Sequence, residues 1–267
     1  MRYDLRALAR ARGIRRKGIT FRPIDPTAVL AGELDAIARD IIAAAETEIR
    51  ESLLPVYEPR PSITQDDAAN GIANALAGVG SAMSRLVLGI GPKVRNWATK
   101  VEGWHRPKFA AGVKAGTGAD IAANLQSADA GDQVRASADW AASLIQGLTD
   151  DLRKKVADLT WGAYANQTPR AELAAQLQAV LNISRKRADF IARDQTTKLA
   201  ANLDRLRQQE AGIAEYKWRH SGKVHFRPEH LAREGKIFRW DTPPPGGHPG
   251  TEPNCGCRAQ AYVNLDD

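Results

Sequence analysis

GIAEYKWRHSGKVHFRPEHLAREGKIFRW, residues 212–240, is where the pattern of this chain changes. The runs IAEYKWRH and KIFRW, joined later by RAQAYV at 258–263, are short β-type segments separated by turn formers and prolines. Nothing upstream resembles them. Residues 223–263 hold three of the five histidines, both cysteines and six of the fourteen prolines. So few aliphatic residues make a thin core, and small folds of this kind need a staple.

Upstream the period is helical. Asp25-Pro26 reads as an N-cap with proline at the first helical position. Leu30, Leu34, Ile37, Ile41, Ala45, Ile49 and Leu53 then recur at steps of three and four. LLPVYEPRP at 53–61 ends that helix and is a candidate hinge. Ile72, Leu76, Val79, Met83, Leu86 and Ile90 mark a second helix in an Ala- and Gly-rich stretch, broken at GIGPK. RPKFAAGV is read as a short segment. KAGTGAD is read as a turn, because no lysine and hydroxyl residue follow at P-loop spacing. Ala138, Ala141, Ile145, Leu148, Leu152, Val156 and Leu159 form a third stripe. Thr168-Pro169 opens a helix ended by Asn182, and Ser184 opens a last one closed by Gly212.

The expected fold is therefore a mainly α N-terminal region with long helices, followed by a small α+β C-terminal domain with short strands. Its expected divisions are 1–24, 25–103, 104–211 and 212–267. No apolar run approaches the roughly 18 residues that span a bilayer, so no membrane partner is expected. The N-terminus lacks the apolar core of a secretion signal, which suits a cytosolic site of synthesis.

The net charge of +7 is local. Arg2, Arg6, Arg10, Arg12, Arg15, Arg16, Lys17 and Arg22 stand against Asp4 alone, and the rest of the chain balances. Such a basic arm suits phosphates or an acidic protein face; a solubilising, partly disordered tail fits equally well.

Two readings also fit the terminal His/Cys residues. Zn2+ takes four Cys or His ligands in structural sites, and a CxC pair in extended backbone turns both thiols to one side. Alternatively the histidines cap turns and the cysteines pack as small hydrophobes. A third reading, a hydrolytic metal or general base built on His225, His230, Glu229 and Asp241, conflicts with two thiols that would close the coordination sphere.

Several rare residue types in this region stand in a distinctive order. ISRKRADFIARDQTTKL is followed by Gly212, Tyr216 and Trp218, then by Arg227, His230, Leu231, Gly235 and Phe238, and last by His248, Pro249, Gly250, Cys255 and Cys257. In this order residues 183–263 resemble the Mu F-like head morphogenesis family, minor head proteins of tailed bacteriophages. The likeness is weaker over 104–182, and residues 1–100 carry none.

Three departures bear on the site. The family pattern has an acidic residue where Lys223 stands, an arginine where His225 stands, and CRC where this chain has CGC, with Arg258 displaced by one. The first undercuts inherited metal-dependent chemistry. Together with the family positions they favour His230, His248, Cys255 and Cys257 as a structural zinc set, with His225 in reserve.

The resemblance implies a non-enzymatic minor capsid protein of the virion. It would be assembled in the host cytoplasm beside portal or major capsid proteins, with the basic arm against packaged double-stranded DNA. The alternatives are a metal-dependent nuclease using the terminal cluster and a DNA-binding accessory protein acting through residues 1–22.

Overall fold

The structure, a computed structural model, describes residues 4–59, 65–126 and 130–265. Its described elements are mostly long helices, with four short strands in one antiparallel sheet. The expected fold class therefore holds. The chain forms two compact units. One joins residues up to Ala31 with Asn96–Ser137 and everything from Arg193 onward; the other joins Gly32–Arg95 with Ala138–Ala192.

The first unit contains α1 (Leu5–Ala11) and β1 (Gly18–Thr20), so the described part of the expected basic arm is folded. Asp4 caps α1, its carboxylate accepting from the backbone N–H groups of Arg6 and Ala7. Leu5, Ala9, Ile19, Phe21 and Ile24 are buried in one apolar cluster with Phe109, Val113, Ile213, Ala261 and Val263. Arg10, Arg12, Arg15, Arg16, Lys17 and Arg22 lie on the surface of this folded segment, Arg6 is half-buried, and Arg2 lies outside the described residues. A disordered tail is thus overturned for residues 4–22.

The helix after Asp25 is α2 (Ala28–Glu48), followed by a π-helical turn (Ile49–Leu53) and α3 (Leu54–Val56). Asp25 is not its cap, because its carboxylate accepts from Arg258 Nε at 3.0 Å. The π turn ends at Leu53, two residues before Pro55, which has no N–H to continue an α ladder. The expected hinge is tied down as far as Tyr57. That residue is fully buried, its hydroxyl donates to Thr168 O at 2.8 Å, and its carbonyl accepts from Arg170 Nε at 3.0 Å. Residues 60 and 61 lie outside the description.

α4 (Gln65–Leu88) and α5 (Ile90–Thr117) meet at Gly89, as expected. α5 then continues through RPKFAAGV with Pro107 inside it, where a short separate segment was expected. Buried Val101, His105, Phe109 and Val113 flank that proline and hold both halves in place. Gly118, at φ +70°, ends the helix in the expected turn. Within α4, Asp67–Leu88 is long and apolar enough by length and composition to cross a bilayer, at mean hydropathy 1.3, contrary to the expectation of no such run. Alanine and glycine raise that average, while the bulky residues Ile72, Val79 and Met83 lie on one buried stripe.

α6 (Gly131–Ala165) matches the third stripe. α7 (Arg170–Glu210) is one helix of 41 residues, where two were expected. Asn182 does not end it: on the exposed side its Oδ1 accepts from Gln178 Nε2 at 3.3 Å and Arg185 Nη1 at 2.9 Å, so it does not compete for backbone groups. Gly212 closes α7 as expected. At φ +70° it donates to Gln209 O, while Ile213 donates to Gln208 O, a Schellman pattern.

The second unit holds α7 as far as Ala192 together with all of α4 and parts of α2, α5 and α6. Ile72→Ala there should cost about 2–5 kcal/mol, because Ile72 is fully buried. Leu88→Ala, at an 87% exposed position, should stay within about 0.5 kcal/mol. Denaturant melts of the two variants would check the contrast.

The sheet order is β1-β4-β2-β3, with β2 (Glu215–Arg219), β3 (Ile237–Arg239) and β4 (Arg258–Asn264) at the three expected runs. Register pairs Tyr216 with Ala261, Trp218 with Ala259 and Ile19 with Val263, which places all six on one buried face. A Cβ at Gly116 would lie 2.8 Å from the Phe21 ring, so glycine there lets Phe21 settle on α5.

Candidate metal centre

β2 and β4 carry Trp218 and Ala259 onto a small cluster with Tyr216, Trp240, Cys255 and Cys257. α8 (Pro228–Leu231) lies between β2 and β3 and supplies His230. Pro228 stands in its first turn, which presets the backbone there. His230, Cys255 and Cys257 are only 4%, 4% and 2% exposed, and their ligand atoms all lie within 4.8 Å of one another. His230 Nδ1 is 3.6 Å from Cys255 Sγ and 3.7 Å from Cys257 Sγ.

On the far side of the ring His230 Nε2 lies 3.2 Å from a carboxylate oxygen of Glu252, which Arg227 Nε also approaches at 2.8 Å, though that oxygen accepts no hydrogen bond of ordinary geometry from either. Nδ1 is the ring nitrogen turned toward the two sulfurs. The thiols are unequal. The hydrogen bond from Cys257 holds the Cys255 thiol below its ordinary value, and the same bond, with burial, pushes Cys257 up. The Gly250 N–H adds a 3.4 Å bond to Cys255 Sγ.

The cysteine loop is fixed from α7. Buried Asp194 accepts from the backbone N–H of Asn254 at 2.6 Å and from Lys198 Nζ at 2.8 Å. Asn254 adopts φ +56°, a left-handed geometry that asparagine tolerates better than most residues. Lys223 Nζ donates to Asn254 O and Oδ1 at 3.1 and 3.2 Å. A Cβ at Gly256 would stand 2.8 Å from Ser221 Cβ and 2.9 Å from Lys223 Cε. Two departures in the sequence are thus neighbours: glycine in CGC makes room for the lysine. The displaced Arg258 reaches Asp25 and the carbonyl of Cys257.

Three of the four preferred ligands come together, and His248 does not join them. Its Nδ1 is 2.9 Å from the Tyr216 hydroxyl, and its ring packs on Trp240 at 4.9 Å between centroids. Burial, helped by Arg205, holds its pKa below the ordinary value, and burial raises that of Tyr216. His225 and Glu229 are exposed, and Asp241 is held at about 2 by its bonds to Arg239 and Thr242. Of the residues proposed for a hydrolytic site, only His230 reaches the cluster among the described residues.

One polar constellation was missed from sequence. Glu102, His105, Asp204 and Arg207 are all buried where α5 meets α7. Arg207 reaches Glu102 at 2.5 Å and also His105 Nδ1, while His105 Nε2 lies 3.0 Å from Asp204. A signal was present: steps of four from Leu199 and Leu203 place Arg207 on the buried stripe.

These features describe a helical protein closed by a small antiparallel sheet with a buried thiol–imidazole cluster. Residues 154–260, which supply most of that sheet and the whole cluster, match the family model of Phage Mu protein F like protein. Over those residues the chain is similar to the phage Mu F-like family. A Haemophilus influenzae (strain Rd) protein described as uncharacterized is 35% identical over 147 residues, covering 54% of this chain and 33% of that protein. The chain thus spans about a third of the length of the curated relative it matches. No solved structure matches it.

Proposed function

We propose that the protein is a minor capsid component of a phage head, incorporated during procapsid assembly beside the portal and retained in the virion. The family match over 154–260 carries this reading. It falls on the segment that carries β2, β3 and the His230, Cys255 and Cys257 cluster. The role is structural and not catalytic.

The surface cations Arg12, Arg15, Arg16 and Lys17 support a contact with packaged double-stranded DNA in the same reading. Each phosphate neutralised by such residues makes binding weaken steeply with salt and adds no base specificity.

Coexpression with the portal and major capsid proteins of the same phage tests the proposal. The protein should sediment with procapsids and appear in mature heads. Heads assembled in its presence but free of it, or DNA cleavage that chelator abolishes, would overturn the reading. In solution, the fourfold variant R12Q/R15Q/R16Q/K17Q should bind DNA more weakly and flatten the log–log salt slope by roughly 0.9 for each lost phosphate contact. Unchanged affinity and slope would remove DNA from the proposal.

A further inference from the structure

We infer that Cys255, Cys257 and His230 form a zinc site, with His230 bound through Nδ1 and His248 outside the coordination sphere. The site stands apart from the role in the head, because it rests on the geometry of three side chains.

A tetrahedral zinc ion with Zn–S of about 2.3 Å and Zn–N of about 2.0–2.1 Å places sulfur and nitrogen about 3.6 Å apart. The two sulfur–nitrogen separations are 3.6 and 3.7 Å. Packing alone would not require both thiols to converge on the same ring nitrogen. Nor would it require that nitrogen to be the one facing away from a carboxylate. Glu252 stands 3.2 Å from the other ring nitrogen without a hydrogen bond of ordinary geometry, within reach of the carboxylate–histidine pairing that orients metal-bound imidazoles elsewhere.

The surroundings suit thiolates. The Gly250 N–H donates to Cys255 Sγ at 3.4 Å. Two thiolates and a neutral imidazole balance the charge of a Zn2+ ion. Soft sulfur donors with one imidazole select zinc over magnesium or calcium.

The site links α8 and the CGC loop beside β2, whose Trp218 packs on the His230 ring. Metal binding there is therefore coupled to the folding of the sheet end. His248 is excluded because its Nδ1 is engaged with Tyr216 and its ring is held on Trp240.

Elemental analysis of the full chain, purified without added metal or chelator, should find about one zinc per chain. Metal-free protein titrated with Co2+ should develop a near-ultraviolet sulfur-to-cobalt charge-transfer band and the visible bands of a tetrahedral ion. C255S and C257S should each lose the charge-transfer intensity and most of the metal. H248A should keep both. His230→Cys, which substitutes another zinc ligand, should retain metal where His230→Ala loses it, so loss through misfolding can be told from loss of a ligand.

Chelation should lower the melting temperature of the wild type and leave C255S/C257S unmoved. A wild type that is metal-free as purified and gives no thiolate band with Co2+ would overturn the inference. So would a Cys255–Cys257 disulfide in protein kept under reducing conditions, or loss of metal in H248A to the extent seen in C255S.

Discussion

Arg207→Met is expected to destabilise the protein by about 3–5 kcal/mol, the cost of leaving a buried charge without its partner. Glu102 is 1% exposed, and Arg106, whose Nε stands 3.7 Å away, is itself half-exposed. His105 Nδ1 loses its partner in the same step, though Asp204 still holds the other ring nitrogen. Burial already lowers the Arg207 pKa, and the field of Glu102 is first among the influences opposing it. A loss of this size should shift the melting temperature on the order of 10 °C.

The double variant E102L/R207M separates two explanations. Replacing both members of a buried pair with apolar residues is often close to neutral, because the desolvation of each charge nearly cancels their attraction. The double variant should therefore recover most of the stability lost in R207M. If it is as unstable as the single variant, the attraction between Glu102 and Arg207 outweighs their desolvation and the pair contributes net stability. Thermal and denaturant melts of the three proteins would show which.

The same network shows why some of the fold was legible in the sequence and some was not. Helical stripes and the three C-terminal strands could be read because burial repeats with the period of the element: Tyr216 and Trp218 alternate, as do Ala259, Ala261 and Val263. Convergence of the cysteines could be read because it is local. Positions decided by distant partners could not. Asp25 sits where an N-cap belongs, yet it answers Arg258, more than two hundred residues away. Asn182 has the composition of a helix end, yet its side chain bonds along an exposed helix surface and the helix continues. His248 occupies a family position, but the Tyr216 hydroxyl that engages it arrives only when the sheet forms.

The basic segment was misread for a related reason. A density of arginine suggests solvent exposure, and the charged ends are indeed outside. The apolar residues between them are few, but each is buried: Leu5 is 1% exposed, Ile19 4% and Phe21 6%. Three such residues can anchor a segment whose composition looks disordered.

Deleting residues 1–22 should therefore abolish the native fold of the unit that contains them. Burial of a large apolar side chain is worth about 1.5–3 kcal/mol, so losing Leu5, Ile19 and Phe21 removes an amount comparable to the roughly 5–15 kcal/mol by which a typical domain is stable. The deletion also strips β1 from β4, where Gly18, Ile19 and Thr20 pair with Asn264, Val263 and Tyr262. An unpaired β4 then becomes an exposed edge that invites aggregation. The truncated chain should be insoluble or lack the near-ultraviolet circular dichroism of buried tryptophans such as Trp218 and Trp240. By contrast, R12Q/R15Q/R16Q/K17Q changes exposed groups only and should melt close to the wild type. A soluble truncation with the wild-type melting temperature would show that the segment is dispensable to the fold. Otherwise, DNA binding lost on truncation reports a lost fold, and only the charge variant can test whether these cations touch phosphate.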